Sequence, residues 1–158
     1  IGGFYPDDQS RHMQSVIDDK IDEHDLDSVV TCLDLVPKAE LPRYLSGLDV
    51  YLNFTHRNLA LTGMGSAAKE GMACGCALVT YDEPDVSYVV DDGNNGVIVP
   101  YDNVDTIVDR LETLCEDDEY RKQLSQQGRN TVVTNFSPSA IRNSVLQYCH
   151  EIVERHHG

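Results

Sequence analysis

The chain has 158 residues, enough for one domain with its own core. Lys and Arg together number 12 against 27 Asp and Glu, which gives a formal net charge of -15. This acidity argues against a nucleic-acid partner, because such proteins concentrate Lys and Arg on one face. No run approaches the ~20 apolar residues of a membrane span, so no transmembrane segment is expected.

Cysteine usage predicts a reducing compartment, and therefore a cytoplasmic location. The count of five is odd, no Cys-x-x-Cys spacing occurs, and most of the cysteines fall inside apolar segments. The spacing matches no usual zinc site, so we expect no metal. The chain opens on Ile1-Gly2-Gly3, without a methionine or a signal peptide, which predicts a piece of a longer polypeptide.

The first third of the chain alternates helical and strand patterns. Apolar residues recur at helical spacing between Asp8 and His24. The continuous apolar, β-branched run from Val29 to Val36 predicts a buried strand. A short helix is predicted around Ala39 to Ser46, with Pro42 tolerated in its first turn. A second strand is predicted from Asp49 to Phe54.

The middle of the chain begins with a glycine turn, which is followed by a predicted helix from about Ser66 to Ala73. A buried strand is predicted from Cys76 to Tyr81, and a short helical turn at Pro84 to Val90. The segment Asp91 to Gly96 has strong turn chemistry, and a further strand is expected at Val97 to Pro100.

Three helices are predicted after residue 100. The first is amphipathic from Val104 to Leu114, and a more polar helix continues from Asp117 to Thr134. Ser137 and Pro138 begin the last helix as its N-cap and first residue. Its predicted buried stripe consists of Ile141, Val145, Tyr148, Cys149 and Ile152.

Short apolar strands that alternate with helices are typical of a parallel sheet covered on both faces. We therefore expect a doubly wound, Rossmann-like α/β fold, organised as a single domain over residues 1–158.

The glycine turn before residue 66 predicts an anion site. Ligands of open parallel sheets bind beyond the carboxyl ends of the strands, and a helix N-terminus there offers free N–H groups. Gly63 and Gly65 would let the backbone approach a phosphate closely, and Ser66 adds a hydroxyl. Glu70, one turn deeper on the same face, suits a bidentate hydrogen bond to a ribose diol.

Spacing alone leaves another interpretation open. Gly-x-Gly before a helix is a weak signal, and most glutamates are solvated surface residues. On these grounds a nucleotide site and an ordinary exposed helix start are about equally supported.

From about Val29 onward, four ordered segments carry a resemblance to a known family. They are "LPRYLSGLDVYLNF", "GMGSAAKEGMACGCALVTY", "VVDDGNNGVIVPYDNVDTIVDRL" and "DEYRKQLSQQGRNTVVTNFSPS". In order and spacing they resemble the C-terminal, donor-binding half of a GT-B glycosyltransferase, in particular the family four retaining enzymes. Residues 1–24 are similar to the strand end and helix after that family's first nucleotide-contacting strand.

The resemblance implies a site for a nucleoside-diphosphate sugar. In the family, the glutamate at the position of Glu70 binds the ribose, and the backbone at Gly63, Met64 and Gly65 approaches the sugar and the diphosphate. It also implies that no metal is required, and that configuration at the transferred sugar is retained. Arg57, in the loop after a predicted strand, is a possible phosphate contact, and an ordinary solvated loop residue is an equal alternative.

The chain departs from the family pattern at three places. Thr62 stands where the family has a second glutamate that faces the donor sugar. The loop Thr55 to Leu61 is longer than usual, and Tyr88 replaces a common glutamate before the Asp-Gly turn. The resemblance places the diphosphate-holding Arg and Lys, and the whole acceptor-binding N-terminal domain, before the first residue. The chain alone is therefore expected to be inactive.

Two other functions are compatible with the sequence. A domain that kept the fold but lost catalysis, acting as a nucleotide-binding or partner-stabilising module, is favoured by Thr62. A nucleotide-sugar epimerase shares the sheet and the helix-tip site, but fits the Met-Ala-x-Gly and Phe-Ser segments less well. The base, the sugar and the acceptor are not specified by the sequence. Peripheral membrane contact of the longer protein would belong to its other half.

Overall fold

The computed structural model describes residues 8–33, 35–54 and 65–157. Contacts divide the chain into two units, Ile1–Pro42 and Arg43–Gly158. The single domain expected over residues 1–158 stays a prediction.

The first unit contains helix α1 (Asp8–Glu23), as the helical spacing predicts. Ile17 and Ile21 are half-buried, whereas Met13 and Val16 on the same helix are exposed. Helix α2 (Leu41–Leu45) crosses the boundary between the two units and has Pro42 as its second residue, where a missing N–H is tolerated.

The buried strand predicted from Val29 to Val36 is wrong for the residues that the structure describes there. Val29 lies in a turn with 74% of its surface exposed. The N–H groups of Val29 and Val30 both donate to the carbonyl oxygen of Leu26, at 3.0 and 2.9 Å. A local turn thus takes the backbone donors that a sheet ladder would need.

The second unit is built on three parallel strands in the order β1 (Val50–Asn53), β2 (Ala77–Tyr81) and β3 (Val97–Val99). Each strand was predicted from a short apolar run, and each is confirmed within one or two residues. Four helices follow one another along the chain in the expected order. They are α3 (Gly65–Cys74), α4 (Val104–Glu116), α5 (Asp118–Phe136) and α6 (Pro138–His157).

Successive residues of β2 face opposite layers, which confirms a sheet with both faces covered. Leu78 packs in a buried cluster with Ala68 and Met72 of α3 and Val132 of α5. Its neighbours along the strand, Ala77 and Val79, pack instead with β3 and α4. This alternation is the normal geometry of a strand, and it makes β2 the centre of the core.

Side-chain caps explain where the last three helices begin. Asn103 Oδ1 accepts from the N–H of Thr106 at 3.0 Å, and Asp117 Oδ1 accepts from the N–H of Tyr120 at 2.9 Å. Ser137 is the predicted N-cap of α6, and its hydroxyl oxygen accepts from the N–H of Ala140 at 3.2 Å. Each cap satisfies a backbone donor that the helix itself leaves free.

The predicted buried stripe of α6 is wrong, although the helix is present. Ile141, Val145, Tyr148 and Ile152 are 39–65% exposed, and Cys149 is exposed as well. Helical spacing defines a face, but burial requires a second element, and within its unit α6 contacts α5. Among the described residues, no helix combines the length and apolarity needed to cross a bilayer.

The turn Asp91 to Gly96 is held by one buried side chain. Gly93 adopts a φ of +75°, which glycine accepts without strain. The Asn95 amide donates to the carbonyl of Val89 at 3.0 Å and to the hydroxyl of Thr131 at 3.1 Å. Its Oδ1 accepts from the N–H of Asp91 at 2.8 Å. Asn95 thereby ties the turn to helix α5.

Asn95→Ala is expected to lower the free energy of unfolding by about 1–3 kcal/mol, because it leaves buried hydrogen-bonding groups without partners. Chemical denaturation measures the loss. Asn94→Ala is the matched control, since Asn94 is exposed and its amide bonds to an exposed aspartate. An equal loss in both variants would contradict the assignment.

Candidate functional site

The chain topology places the start of α3 at the carboxyl edge of the sheet. Strands β1 and β2 are parallel, and α3 lies between them in sequence, so it must run back along the sheet. Its N-terminus therefore lies near the end at which β1 and β2 finish. In open parallel sheets this edge is the usual place for a ligand.

Helix α3 presents one buried and one accessible side. Ala68 and Met72 are fully buried against the sheet. Ser66 is exposed, and Glu70, four residues later on the same face, is half-buried. The helix predicted from Ser66 to Ala73 is thus confirmed, and the two side chains predicted to share a face lie within its first two turns.

Gly65 begins α3 in a left-handed conformation with a φ of +69°. A Cβ built on it would meet nothing within 4 Å, so conformation, and not space, requires glycine here. The remaining predicted site residues, Arg57, Thr62, Gly63 and Met64, lie outside the described residues. Among the described residues, Gly65, Ser66 and Glu70 form the candidate site.

Tyr51 of β1 lies beneath this part of α3. Its ring contacts the backbone at Gly71, the residue after Glu70. Burial raises the pKa of the Tyr51 phenol, and the nearby Cys76 and Glu70 raise it further as negative charges. The carboxylate of Glu70 therefore lies close enough to Tyr51 to act on it electrostatically.

Lys69 links α3 to a neighbouring helix, whereas Tyr88 is exposed. The ammonium of Lys69 lies 5.6 Å from the centre of the Phe136 ring, which connects α3 to the end of α5. Tyr88, which the resemblance aligns with a family glutamate, ends the short 3-10 helix Val86–Tyr88 and is 83% exposed.

Sequence reasoning missed a polar pair at the carboxyl ends of β1 and β2. The hydroxyl of Thr80 donates to the carbonyl oxygen of Asn53 at 3.2 Å, and the Asn53 amide donates to that hydroxyl at 3.4 Å. By strand alternation both residues belong to the face that carries α3. The two residues are neighbours because of the register of the parallel strands, and that register cannot be read from a single sequence.

Three aromatic residues lie at the same edge, each at or shortly after the end of a strand. Phe54 stacks on Tyr81 with ring centres 4.5 Å apart, and Tyr101 lies 4.7 Å from Tyr81 in a tilted arrangement. Phe54 and Tyr81 pack against the cluster on the α4 side of the sheet. The sequence does contain a signal for this contact, because an aromatic residue stands at or just after the end of each apolar run. We assign this ladder to the core, because its rings pack on one another.

Cys76 is a buried thiol near the foot of α3. Its Sγ donates to the carbonyl oxygen of Leu45 at 3.2 Å. Burial, with smaller contributions from Cys74 and Asp49, raises the pKa of Cys76 to about 11. All five cysteines are free, but Cys115 and Cys149 are exposed. The expectation that most cysteines act as buried hydrophobes is therefore right for Cys76 and wrong for those two.

Residues 1–131 match the family described as glycosyl transferases group 1. The chain belongs to this family. A curated relative, the lipopolysaccharide core biosynthesis glycosyltransferase LpsE of Rhizobium meliloti strain 1021, is 27% identical over 105 residues. That match covers 66% of this chain and 29% of LpsE.

Solved structures of glycosyltransferases share the fold. Sucrose-phosphate synthase from Thermosynechococcus elongatus aligns over 97% of this chain and 37% of its own, with a TM-score of 0.76 and 20% identity. Anabaena HepE, solved in complex with UDP-glucose, aligns over 95% of this chain and 40% of its own, with a TM-score of 0.79 and 15% identity. The chain thus spans well under half of these proteins and has the Rossmann-like fold of one half of a GT-B enzyme, as the resemblance implied.

Gly65→Ala is expected to destabilise the chain by about 1–2 kcal/mol, because an L-residue is strained in the left-handed region. Chemical denaturation checks this value. Gly47→Ala is the control, since Gly47 has no positive φ and a Cβ there would make only an ordinary contact. Gly65→Asn should recover part of the loss, because asparagine tolerates this conformation. Equal effects at positions 65 and 47 would contradict the explanation.

Cys76 is expected to resist alkylation in the native protein. With a pKa of about 11, only about one thiol in a thousand is ionised at pH 8, and the thiolate is the nucleophile. Timed iodoacetamide labelling and peptide mass spectrometry should find Cys115 and Cys149 modified first. Denatured protein, in which all five react, serves as the control. Fast labelling of native Cys76 would refute the prediction.

Proposed function

We propose that this chain is the sugar-donor-binding domain of a retaining glycosyltransferase that uses a nucleoside-diphosphate sugar. The observation that carries the proposal is the half-buried Glu70 in the second turn of α3, whose N-terminus lies at the carboxyl edge of the sheet. Membership of the group 1 family and the fold shared with a UDP-glucose complex of HepE support it.

In the proposed complex, Glu70 accepts hydrogen bonds from both ribose hydroxyls. The diphosphate lies at the start of α3, where Ser66 and the backbone around Gly65 face it. We assign Gly63, Met64 and Thr62 to the same stretch and Arg57 to a phosphate, on sequence grounds. A helix N-terminus contributes roughly 0.3–1 kcal/mol to binding an anion, so basic side chains must neutralise most of the charge of the diphosphate.

Transfer with retention is proposed to proceed without a metal ion. Helix N–H groups and cationic side chains would stabilise the departing nucleoside diphosphate, and the protein would otherwise position the two substrates. The acceptor site, and separately the Arg and Lys that would hold the diphosphate, are assigned to parts of the enzyme outside this chain, which alone would be inactive. Five free cysteines support a reducing, cytoplasmic setting.

A second candidate is a domain that binds the nucleotide but has lost catalysis. Thr62 supports it, because the family usually has a glutamate facing the sugar at this position. The polypeptide that contains both halves distinguishes the two. Sugar transfer or slow hydrolysis of the sugar donor favours the enzyme, whereas tight binding without turnover favours the inert module.

Glu70→Ala is expected to weaken nucleoside-diphosphate binding by about 10- to 150-fold, the equivalent of a charged hydrogen bond of roughly 1.5–3 kcal/mol. Isothermal titration with UDP, GDP and ADP measures it and identifies the base. Glu112→Ala, which removes the same charge from an exposed position on α4, should leave affinity unchanged. Unchanged affinity in Glu70→Ala would refute the ribose assignment.

A further inference from the structure

Gly71 allows α3 to lie directly on the ring of Tyr51. A Cβ built on Gly71 would lie 2.9 Å from Cδ1 and 3.0 Å from Cγ of that ring. Side-chain atoms do not approach so closely, so the contact exists only because residue 71 has no side chain. The distance between α3 and β1 at this point is therefore set by a glycine and an aromatic ring.

The neighbours of Gly71 fix the remaining freedom of the helix. Ala68 and Met72 are fully buried with Leu78 of β2, which prevents rotation of α3 about its axis. Tyr51 packs against the same cluster. These side chains fix the rotation of α3, and the contact at Gly71 fixes its distance from the sheet. Glu70 is therefore held at one height above the sheet.

The direction of the Glu70 side chain links this packing to the edge of the sheet. Side chains on a helix lean towards its N-terminus, which for α3 is the carboxyl edge. The Tyr51 ring lies against Gly71, the residue next to Glu70, and the charge of Glu70 contributes to the raised pKa of the Tyr51 phenol. A shift of α3 away from β1 would therefore move the carboxylate and weaken its influence on Tyr51.

We propose that Gly71 is a positioning residue, which by admitting the Tyr51 ring beneath α3 sets the height at which Glu70 meets the ribose. This inference rests on the proposed function, because it takes Glu70 as the ribose ligand. It also requires that the residue after Glu70 be small enough to accommodate the Tyr51 ring beneath the helix.

The first test is nucleotide affinity in Gly71→Ala. The added Cβ must displace the ring or the helix. Binding of whichever of UDP, GDP and ADP the chain binds most tightly should therefore fall about tenfold, part of the effect of losing the Glu70 hydrogen bonds. Gly96→Ala is the matched control: its Cβ would be equally crowded, 2.8 Å from Cγ1 of Val90, but it precedes β3 and is not part of α3. That variant should lose stability and keep its affinity.

A double-variant cycle separates positioning from general damage to the fold. In a Glu70→Ala background, Gly71→Ala should cause no further loss of affinity, because the group it positions is gone. An equal loss with and without Glu70 would overturn the proposal. Tyr51→Leu alters the surface beneath α3 without adding an atom at position 71, and its effect should likewise vanish without Glu70. It replaces Gly71→Ala in the cycle if that variant does not fold.

A measurement without nucleotide distinguishes failure of this inference from failure of the proposed function. In NMR titrations of ¹³Cζ-labelled tyrosine, Glu70→Gln should lower the pKa of Tyr51, since it removes a negative charge that raises it. In Gly71→Ala that decrease should be smaller, because the carboxylate has moved. An unchanged decrease would overturn the proposal. If the decrease in the Tyr51 pKa is smaller in Gly71→Ala, but nucleotide affinity does not depend on Glu70, the positioning role is supported and the ribose assignment is refuted.

Discussion

The burial of the first four residues of β2, Ala77 to Thr80, is the constraint on which the other elements depend. Ala77, Leu78 and Val79 have no exposed surface, and parallel ladders join the strand to β1 on one side and β3 on the other. Gly75 lies in the short link between helix α3 and this strand, and its φ of +92° lets the chain reverse direction sharply there. Because the link is so short, the position of β2 determines that of α3, and with it that of Glu70.

Charge is a second constraint on any anionic ligand of this domain. The chain carries a net charge of -15, and several described cations are already engaged. Arg121 pairs with Asp118, Arg110 lies 3.8 Å from Asp92, and Lys69 lies over Phe136. The α3 terminus contributes at most about 2 kcal/mol towards a diphosphate. Recognition by this chain is therefore expected to depend more on ribose hydrogen bonds than on attraction of the phosphates.

Local chemistry predicted most of the second unit, and non-local packing explains the errors. Glycine turns, caps such as Ser137 and short apolar runs specify where elements begin, so the strands and helices after residue 49 were predicted closely. The spacing of Ser66 and Glu70 also predicted their shared face. Burial of Val29 or of the α6 stripe depends on partner elements, and the Asn53–Thr80 pair depends on strand register. None of these is encoded within a few neighbouring residues.

The arrangement around Glu70 favours a retained ligand under either proposed function. Glu70 is half-buried, and its negative charge contributes to the raised pKa of the Tyr51 phenol. The proposed ribose contact gives this carboxylate a role, and that role is common to an active transferase and to an inert module. We therefore expect the difference between the two proposed functions to lie outside α3, at Thr62 and in the proposed acceptor-binding half.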